Sequence, residues 1–220
     1  MVKVAQEARV DLPYLPALAA RLRALQERIG LNAYRLEIVL PERVSALLPE
    51  LKEVSDAWLF YENEMERGYS IPFFNDRYLA TLPIAVLRRD DRVVAFGALR
   101  ESGDKRELAL DLLRHHPDVP KDCVDFLVLD LLQRAKAAGY REFNLGIAPL
   151  ALAQANPIAP AYGYENILYC QNGQPYDATN LYRWEDLVPM NWRPKYLAYP
   201  KGLNVYRVLH AISRLIAGGE

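Results

Sequence analysis

The sequence predicts an α+β (mixed α/β) protein with a mixed, mostly antiparallel sheet flanked by helices. Helical and strand periodicities follow one another in the order helices, a three-strand meander, a strand–helix–strand crossover and further strands. The 220 residues are 51% hydrophobic and 25% charged, as is usual for a soluble globular protein. We expect a single domain over 1–220, with an N-terminal linker helix over 1–33, a core over 34–200 and a C-terminal amphipathic helix over 201–220.

The first part of the chain is predicted to be mainly helical. Leucines at helical spacing predict a helix over 14–29, and an apolar stripe over 44–66 predicts a second helix that begins near Pro41. Between them, the alternation over 34–40 predicts a strand. The aromatic segment 68–78 contains Gly, Pro and Asn, and we expect a loop with buried anchors there.

The central part of the chain changes to strand periodicity. The patterns predict strands at 84–87, 93–99, 108–113 and 141–145, a helix at 121–138, further strands at 165–170 and 194–199, and a final helix at 203–217. Asp90-Asp91 marks a hairpin turn between the first two of these strands. This order is typical of the N-acetyltransferase-like (GNAT-type) acyltransferase fold, whose sheet is splayed between the two strands that flank the crossover helix. Those two strands would be neighbours, with their carboxyl ends at one edge of the sheet, where ligands of such sheets bind.

The composition excludes several classes of function. No apolar run approaches the roughly 18 residues that span a bilayer, and the N-terminus lacks the apolar segment of a signal peptide, so we expect a cytoplasmic protein. Two cysteines, Cys123 and Cys170, are too few for a zinc site and are expected to be buried thiols. The formal net charge of −1 gives no general attraction to nucleic acid or anionic lipid.

The segment before the crossover helix argues against a nucleotide coenzyme. Acetyl-coenzyme A-dependent enzymes of this fold have a glycine-rich loop there, whose N–H groups bind the pyrophosphate. Residues 114–122 contain no glycine, two prolines without an N–H, and two acids near the helix start. The adjacent His115 and His116 would point in opposite directions on an extended segment and cannot chelate one metal ion together. We predict no cofactor and no metal.

Asp111 and Arg114 are the first candidate site residues. Asp111 interrupts the nearly continuous apolar run Leu108–Leu113, and Arg114 follows it. A carboxylate there could orient an ammonium group or accept a proton from an attacking hydroxyl. The guanidinium could bind phosphate or stabilise a developing oxyanion. The alternative is that both are structural and pair with each other at the sheet edge.

The stretch FNLGIAPL, residues 143–150, is the second candidate. It reads as a strand that ends among small residues, with Asn144 between apolar side chains. Either this is only a turn at the end of a strand, or a ligand approaches the backbone at Gly146 and Ala148. We expect the stretch to be the second wall of a cleft beside Asp111 and Arg114.

Three further residues are candidate substrate contacts with structural alternatives. Asp125 is near the start of the crossover helix, where an acidic residue also favours the helix N-terminus. Trp192 and Arg193 could stack on a base or bind a lipid head group, or could belong to a closing strand with buried aromatics.

Cations cluster near the C-terminus, at Lys195, Lys201, Arg207 and Arg214. Such a cluster is either a solvated face or a binding patch. The final helix is amphipathic and could lie on a membrane, although core packing is the usual role of a helix this short.

Seven segments together make the chain resemble the C-terminal catalytic region of bacterial phosphatidylglycerol lysyltransferases, the multiple peptide resistance factor family. They are EARVDL (7–12), ELKEVSDAWL (50–59), GYSIPFF (68–74), VVAFGAL (93–99), LDLLRHHPDVPKDCVDFL (110–127), GYREFNLGIAPL (139–150) and WRPKYLAYP (192–200). Asp111 and Arg114 match the family's site motif.

The resemblance implies a transferase that moves an amino acid from aminoacyl-tRNA to a hydroxyl, usually that of phosphatidylglycerol. The tRNA ester is already activated, so no coenzyme A is needed. Two alternatives stay open, namely an acyl-coenzyme A-dependent N-acyltransferase and a degenerate non-catalytic domain. The second is suggested by 184–188, which contains no lysine where the family often has Phe-Lys-x-Lys-Phe.

The family also places a first acyltransferase-like domain, and often a membrane flippase, upstream. We therefore expect contact with a partner domain or with the inner face of the cell membrane. The acceptor is expected to be a phospholipid or a small-molecule hydroxyl.

Overall fold

The computed structural model describes residues 1–30, 33–62, 66, 73–149, 170–171, 174–175 and 179–216. Their elements, in chain order, are β1 (Val2–Asp11), a 3-10 turn (Leu12–Tyr14), α1 (Ala19–Ile29), β2 (Tyr34–Val39), α2 (Pro41–Glu62), α3 (Asp76–Leu79), β3 (Ile84–Arg89), β4 (Arg92–Glu101), β5 (Glu107–His115), α4 (Lys121–Ala137), β6 (Glu142–Pro149), β7 (Cys170–Gln171), β8 (Gln174–Pro175), α5 (Thr179–Glu185), β9 (Asn191–Leu197) and α6 (Val205–Ile216). The predicted α+β class is confirmed.

The described residues divide into two compact units. The larger unit comprises the described residues of Asp11–Glu66 and Phe73–Phe143. The smaller unit comprises Met1–Val10 and the described residues after Phe143. The prediction of a single domain over 1–220 stays a prediction.

Antiparallel strands form the sheet of the larger unit in the order β2-β3-β4-β5. The predicted hairpin between β3 and β4 is confirmed: Asp90 and Asp91 have φ values of 49° and 64°, as a tight turn that matches the strand twist requires. β4 packs so closely that a Cβ on Gly97 would lie 2.7 Å from Leu110 Cδ1. Glycine at this position is therefore a packing requirement.

Helices cover both faces of this sheet. On one face, α2 and α3 close a core that consists of Val39, Val44, Leu47, Leu51, Val54, Leu79, Leu82, Ile84, Val86, Val93, Phe96, Ala98 and Leu112. On the other face, Leu127 of α4 lies 3.9 Å from the position of a Cβ on Gly97, and α1 packs against α4. The start of β6 lies beside the turn into β5, because Glu142 N donates to Arg106 O at 3.0 Å. β5 and the start of β6, the two strands that flank the crossover helix α4, are therefore neighbours as predicted.

The smaller unit is built on the strand order β6-β1-β9. β1 and β9 are antiparallel, with Glu7 opposite Arg193. Leu209 of α6 packs against Val4, so the expected core role of the final helix is confirmed for this face. β7 and β8 form a separate antiparallel pair. Among the described residues, no helix has both the length and the apolarity needed to cross a bilayer.

The predicted linker helix over 1–33 is wrong for its first eleven residues. Val2–Asp11 is a strand because it pairs with β9, about 190 residues away, and a register shift between Lys3 and Ala5 interrupts its alternation of buried residues. The helix predicted from residue 14 begins at Ala19 instead. Leu15 is extended, and the following Pro16 lacks an N–H and disfavours a helical residue before it.

The other predicted elements are confirmed apart from small differences at their ends and two segments. In the predicted loop 68–78, residues 68–72 lie outside the described residues, and Asp76 begins the short helix α3 with Asn75 as its N-cap. The predicted strand 165–170 lies outside the described residues except for Cys170. Helix α5 is not predicted from the sequence.

Candidate functional site

Asp111 lies at a β-bulge in β5. The register pairs Ala98 with Leu112 and Leu99 with Leu110, which leaves Asp111 as the extra residue on its strand. A bulge of this kind redirects a side chain and is common beside active sites. The break in the apolar run of β5 therefore coincides with a break in the ladder.

The Asp111 carboxylate is held mainly by Tyr78. Tyr78 Oη donates to Oδ2 at 3.0 Å, and Arg100 Nη1 lies 3.8 Å from Oδ1. The side chain is only 10% exposed. Burial and the neighbouring Asp111 charge both raise the pKa of Tyr78, so its hydroxyl stays protonated and remains a donor to the carboxylate.

Arg114 is a buried cation on the same strand, with 7% exposure. Its Nη2 donates to Glu66 Oε1 at 3.0 Å, and its guanidinium carbon lies 3.9 Å from the ring centre of Trp58. The same Glu66 oxygen accepts from the backbone N–H of Phe74 at 3.0 Å. An ion pair and an aromatic face thus hold the guanidinium plane in one orientation.

The bulge brings Asp111 and Arg114 to one face of the sheet. In a regular strand, residues three apart point to opposite faces. Here Arg114 is opposite Phe96 and contacts α2 through Trp58, while Asp111 contacts α3 through Tyr78. Both helices cover the same face. We call these two residues and their contacts the β5 site, which comprises Asp111, Arg114, Tyr78, Arg100, Glu66 and Trp58.

A second polar cluster lies in the smaller unit around Glu7, which is 6% exposed. Lys195 Nζ donates to Oε1 at 2.8 Å, Arg9 Nε donates to Oε2 at 2.6 Å, and Asn144 donates a further hydrogen bond to this carboxylate. Burial alone would raise the pKa of Glu7, but these donors outweigh it and lower the pKa. We call these four residues the Glu7 cluster.

Asn144 connects this cluster to the middle of β6. The prediction that this strand ends at Leu145 is wrong, because β6 continues through Gly146 to Pro149. Asn144 is buried, and its Oδ1 accepts from the N–H of Gly146 at 3.0 Å. Gly146 has φ +110°, a conformation that favours glycine, and no heavy atom of the described residues lies within 4 Å of its Cβ position. Ala148 is fully buried. The polar residue of FNLGIAPL therefore shapes the backbone bend that follows it.

The other predicted substrate contacts are Asp125 in the larger unit and Trp192 and Arg193 in the smaller unit. Asp125 is 6% exposed in α4, so it is not a solvated charge at the helix start. Trp192 stacks on Tyr182 with ring centres 5.3 Å apart, and its Nε1 donates to Glu185 at 2.9 Å. Arg193 is exposed on β9, opposite Glu7 in the ladder.

The start of α4 is the place where a coenzyme pyrophosphate would bind in related folds, and the absence of that coenzyme here stays a prediction. Its N-cap position is occupied by Pro120, and Asp122 in the first turn pairs with Arg28 at 2.8 Å. Cys123 is a buried thiol, and burial raises its pKa. In the part of the chain that is described, no group of acidic, histidine or cysteine side chains could hold a metal ion.

Sequence reasoning placed Asp111 and Arg114 correctly on one strand but missed most of their partners. Trp58 was part of the predicted helical stripe, and Tyr78 was expected in a loop. Glu7 was missed because its partner Lys195 is distant in sequence; the alternation of β1 was the available signal. The expected cleft between FNLGIAPL and the β5 site involves both units and stays a prediction.

The profile of one family, described as phosphatidylglycerol lysyltransferase, C-terminal, matches residues 1–199. A phosphatidylglycerol lysyltransferase of Bacillus subtilis is 31% identical over 97% of the chain. Its counterpart in Staphylococcus aureus strain COL is 30% identical over 97% of the chain. The chain spans about a quarter of the length of these relatives, 25% and 26% respectively.

Two solved structures have the same fold. A C-terminal domain assigned to a lysylphosphatidylglycerol synthetase of Agrobacterium fabrum has a TM-score of 0.77 at 29% identity, covering 98% of this chain and 66% of that one. L-PGS of Bacillus licheniformis has a TM-score of 0.74 at 32% identity, covering 96% and 65%.

Proposed function

The chain belongs to the family of C-terminal phosphatidylglycerol lysyltransferase domains, and from this membership we propose that it catalyses aminoacyl transfer from a charged tRNA to a hydroxyl. The acceptor is a lipid that resembles phosphatidylglycerol, at the inner face of the cell membrane. The relatives' names support the lipid acceptor. The tRNA ester serves as the activated donor, and no further cofactor is involved.

One observation carries the proposal. The bulge at Asp111 gives a nearly buried carboxylate and a buried guanidinium on one face of a strand, held by separate partners, Tyr78 for Asp111 and Glu66 for Arg114. Ester exchange needs a proton acceptor for the attacking hydroxyl and positive charge for the carbonyl oxygen. The β5 site offers both.

Asp111 is the proton acceptor in this proposal. The acceptor hydroxyl attacks the ester carbonyl of the aminoacyl-tRNA and transfers its proton to the carboxylate. The new ester bond forms as the bond to the terminal ribose breaks, and the leaving ribose oxygen takes up the proton. In an alternative role at the same position, Asp111 binds the α-ammonium group of the amino acid.

Arg114 supplies the positive charge. Its guanidinium is always protonated and is held rigidly by Glu66 and Trp58. A fixed charge stabilises the developing oxyanion, or a phosphate, without reorganisation during the reaction. The remaining predicted residues act as substrate contacts in this proposal: Asn144, Gly146, Ala148, Asp125, Trp192 and Arg193.

The acyl-coenzyme A alternative gains no support from the start of α4. Pro120 at the N-cap contributes no N–H to a pyrophosphate, and the segment before the helix contains no glycine. Saturable binding of coenzyme A in calorimetry would favour that alternative over ours.

The non-catalytic alternative rests on 184–188. Glu185 occupies a position where the family often has lysine, and it accepts a hydrogen bond from Trp192. The carboxylate of Glu185 therefore makes a contact inside the protein. The proposed activity does not depend on a lysine at this position.

The test is transfer of radiolabelled lysine from charged tRNA to phosphatidylglycerol, with wild type, Asp111→Asn and Asp118→Asn. We expect Asp111→Asn to lower kcat by about 100-fold or more, because the amide cannot accept the proton. Asp118 is an exposed carboxylate outside the β5 site, and its variant should keep wild-type activity.

Equal transfer by wild type and Asp111→Asn would remove Asp111 from the mechanism. Binding of charged tRNA without transfer to a lipid extract or to a small-molecule acceptor would identify a non-catalytic domain. Other charged tRNAs in the same assay determine the amino acid.

A further inference from the structure

The charge of this protein is distributed unevenly along the chain. Residues 187–219 contain no Asp or Glu and five basic residues, which are Arg193, Lys195, Lys201, Arg207 and Arg214. Because the whole chain has 27 basic and 28 acidic residues, this stretch carries a formal charge of +5 and the rest carries −6. A net charge near zero therefore conceals a strongly cationic segment.

The apolar face of α6 is already occupied. Leu209 and Ile216 are buried, and Val205 and Ile212 pack with Leu209 against β1 and β9. A helix that inserts into a bilayer uses its apolar face. Since that face of α6 covers the sheet of the smaller unit, the helix cannot also insert it into lipid.

The opposite face of α6 and the turn before it are exposed and cationic. Lys201, Arg207 and Arg214 are exposed, and Tyr206 and Leu215 lie towards the two edges of the exposed arc. Tyr206 is 48% and Leu215 49% exposed, and Leu203 in the preceding turn is 55% exposed. We call the six residues Lys201, Leu203, Tyr206, Arg207, Arg214 and Leu215 the α6 surface.

The geometry points to the α6 surface as the place where this chain adsorbs to an anionic phospholipid bilayer. Cations near the surface of such a membrane attract its head groups, and half-exposed Leu and Tyr side chains enter the interfacial layer. An RNA backbone would satisfy the cations but would leave Leu203 and Leu215 in water. The mixture of charge and apolar groups therefore favours lipid over RNA.

This inference rests on the proposed function, because a lipid acceptor must be reached from the aqueous side. It adds the surface and its mode of contact. The outer, cationic face of α6 meets the head groups, while the inner face stays on the sheet. Contact is then peripheral and reversible, and it depends on salt.

The experiment measures binding of the 220-residue chain to vesicles by co-sedimentation, without tRNA. Vesicles of phosphatidylcholine with about one phosphatidylglycerol in three lipids are compared with phosphatidylcholine alone, at about 0.1 M salt and at higher salt. We expect wild type to prefer the anionic vesicles by at least about tenfold and to lose this preference as salt rises.

Two double variants test the residues. Lys201→Gln with Arg207→Gln should weaken binding to anionic vesicles about 30-fold, since each near-surface cation contributes about fivefold. The matched control, Arg21→Gln with Arg23→Gln, removes two exposed cations from α1 and should stay within about twofold of wild type. Leu203→Ser with Tyr206→Ser should weaken binding about tenfold at unchanged charge. All six positions are exposed, so thermal unfolding by circular dichroism should match wild type.

Three results would overturn the inference. The first is that wild type fails to distinguish the two kinds of vesicle. The second is that Lys201→Gln with Arg207→Gln binds anionic vesicles as wild type does. The third is that this variant keeps vesicle binding but loses binding of tRNA in a filter assay, which would assign the surface to RNA. The vesicle assay contains no donor and tests adsorption alone. Vesicle binding as expected, together with no lipid transfer in the separate assay with charged tRNA, would count against the proposed function alone.

Discussion

The β5 site and the Glu7 cluster each contain an ion pair, and they differ in which partner is the more deeply buried. In the β5 site the buried group is the cation Arg114, and its partner Glu66 is more exposed. In the Glu7 cluster the buried group is the anion, and the cation Lys195 is more exposed. Each buried charge has a partner of opposite charge, as burial requires. Arg114 contacts a carboxylate and an aromatic ring, whereas Glu7 accepts from two cations and an amide.

The difference shows in how fully each carboxylate is bonded. Glu7 accepts from Lys195, Arg9 and Asn144, so its lone pairs are largely used within the smaller unit. Among the described residues, Asp111 accepts one close hydrogen bond, from Tyr78, and the nearest guanidinium nitrogen, of Arg100, lies at 3.8 Å. A carboxylate with spare acceptor capacity suits a reaction, whereas a fully bonded one suits the positioning of its neighbours. We therefore expect changes in the β5 site to alter catalysis and changes at Glu7 itself to alter stability.

Arg114→Lys should have the largest effect in this comparison. Lysine keeps the charge but loses the planar contact with Trp58 and the fixed direction of its donors. We expect kcat in the lipid transfer assay to fall about 100-fold. The free energy of unfolding should fall by less than it does in Glu7→Gln. Arg134→Lys, an exposed arginine paired with Asp130 on α4, is the control. A loss below about threefold would show that charge alone suffices in the β5 site.

Glu7→Gln should act mainly on stability. The amide leaves Arg9, which is largely buried, and Lys195 without their counter-charge, and we expect the free energy of unfolding in urea to fall by about 2 kcal/mol. Glu53→Gln, which removes an exposed partner of Arg92, should change it by less than about 0.5 kcal/mol.

The pH dependence of the same variant sharpens this prediction. The pKa of Glu7 is lowered from its ordinary value of 4.5, so the ionised carboxylate stabilises the fold above that pH. This stabilisation is lost as the pH falls below 4.5 through the lower pKa of the folded state. Wild type should therefore lose stability more steeply than Glu7→Gln in this acidic range. Parallel curves would show that Glu7 is not the stabilising anion.

Tyr78→Phe should have the smallest effect. The change removes the hydroxyl that donates to Asp111 and leaves the ring in place, and we expect about a fivefold lower kcat, equivalent to about 1 kcal/mol. Tyr14→Phe, at an exposed tyrosine, is the control. A loss as large as that of Arg114→Lys would mean that Asp111 depends on Tyr78 and would remove the contrast in bonding drawn above.

Local patterns in the sequence sufficed for most elements of the larger unit. The stripe in α2, the Asp90-Asp91 turn and the helix after Pro120 depend on neighbours a few residues away, and those are visible in the chain. The first strand was mistaken for part of a helical linker. Its identity depends on pairing with residues 191–197, which no local window contains.

The candidate site shows the same limit. Asp111 was noticeable as a charge in an apolar run, and Arg114 follows it. The bulge that turns them to one face is a property of the register between β4 and β5 and has no signature within β5 itself. Glu66 lies at the end of the segment predicted as a helix, and Tyr78 belongs to a segment whose aromatic and polar composition suggested only a loop.

The position of β1 has a consequence for biosynthesis. β1 lies between β6 and β9 in the smaller unit, and its partner β9 ends at Leu197. At ordinary translation rates, roughly 10–40 s pass between the synthesis of the two strands. The larger unit, by contrast, can form from residues that are made consecutively. β1 is therefore made before either of its neighbours in the sheet, β6 and β9, and the smaller unit can form only after residues 191–197 have been made.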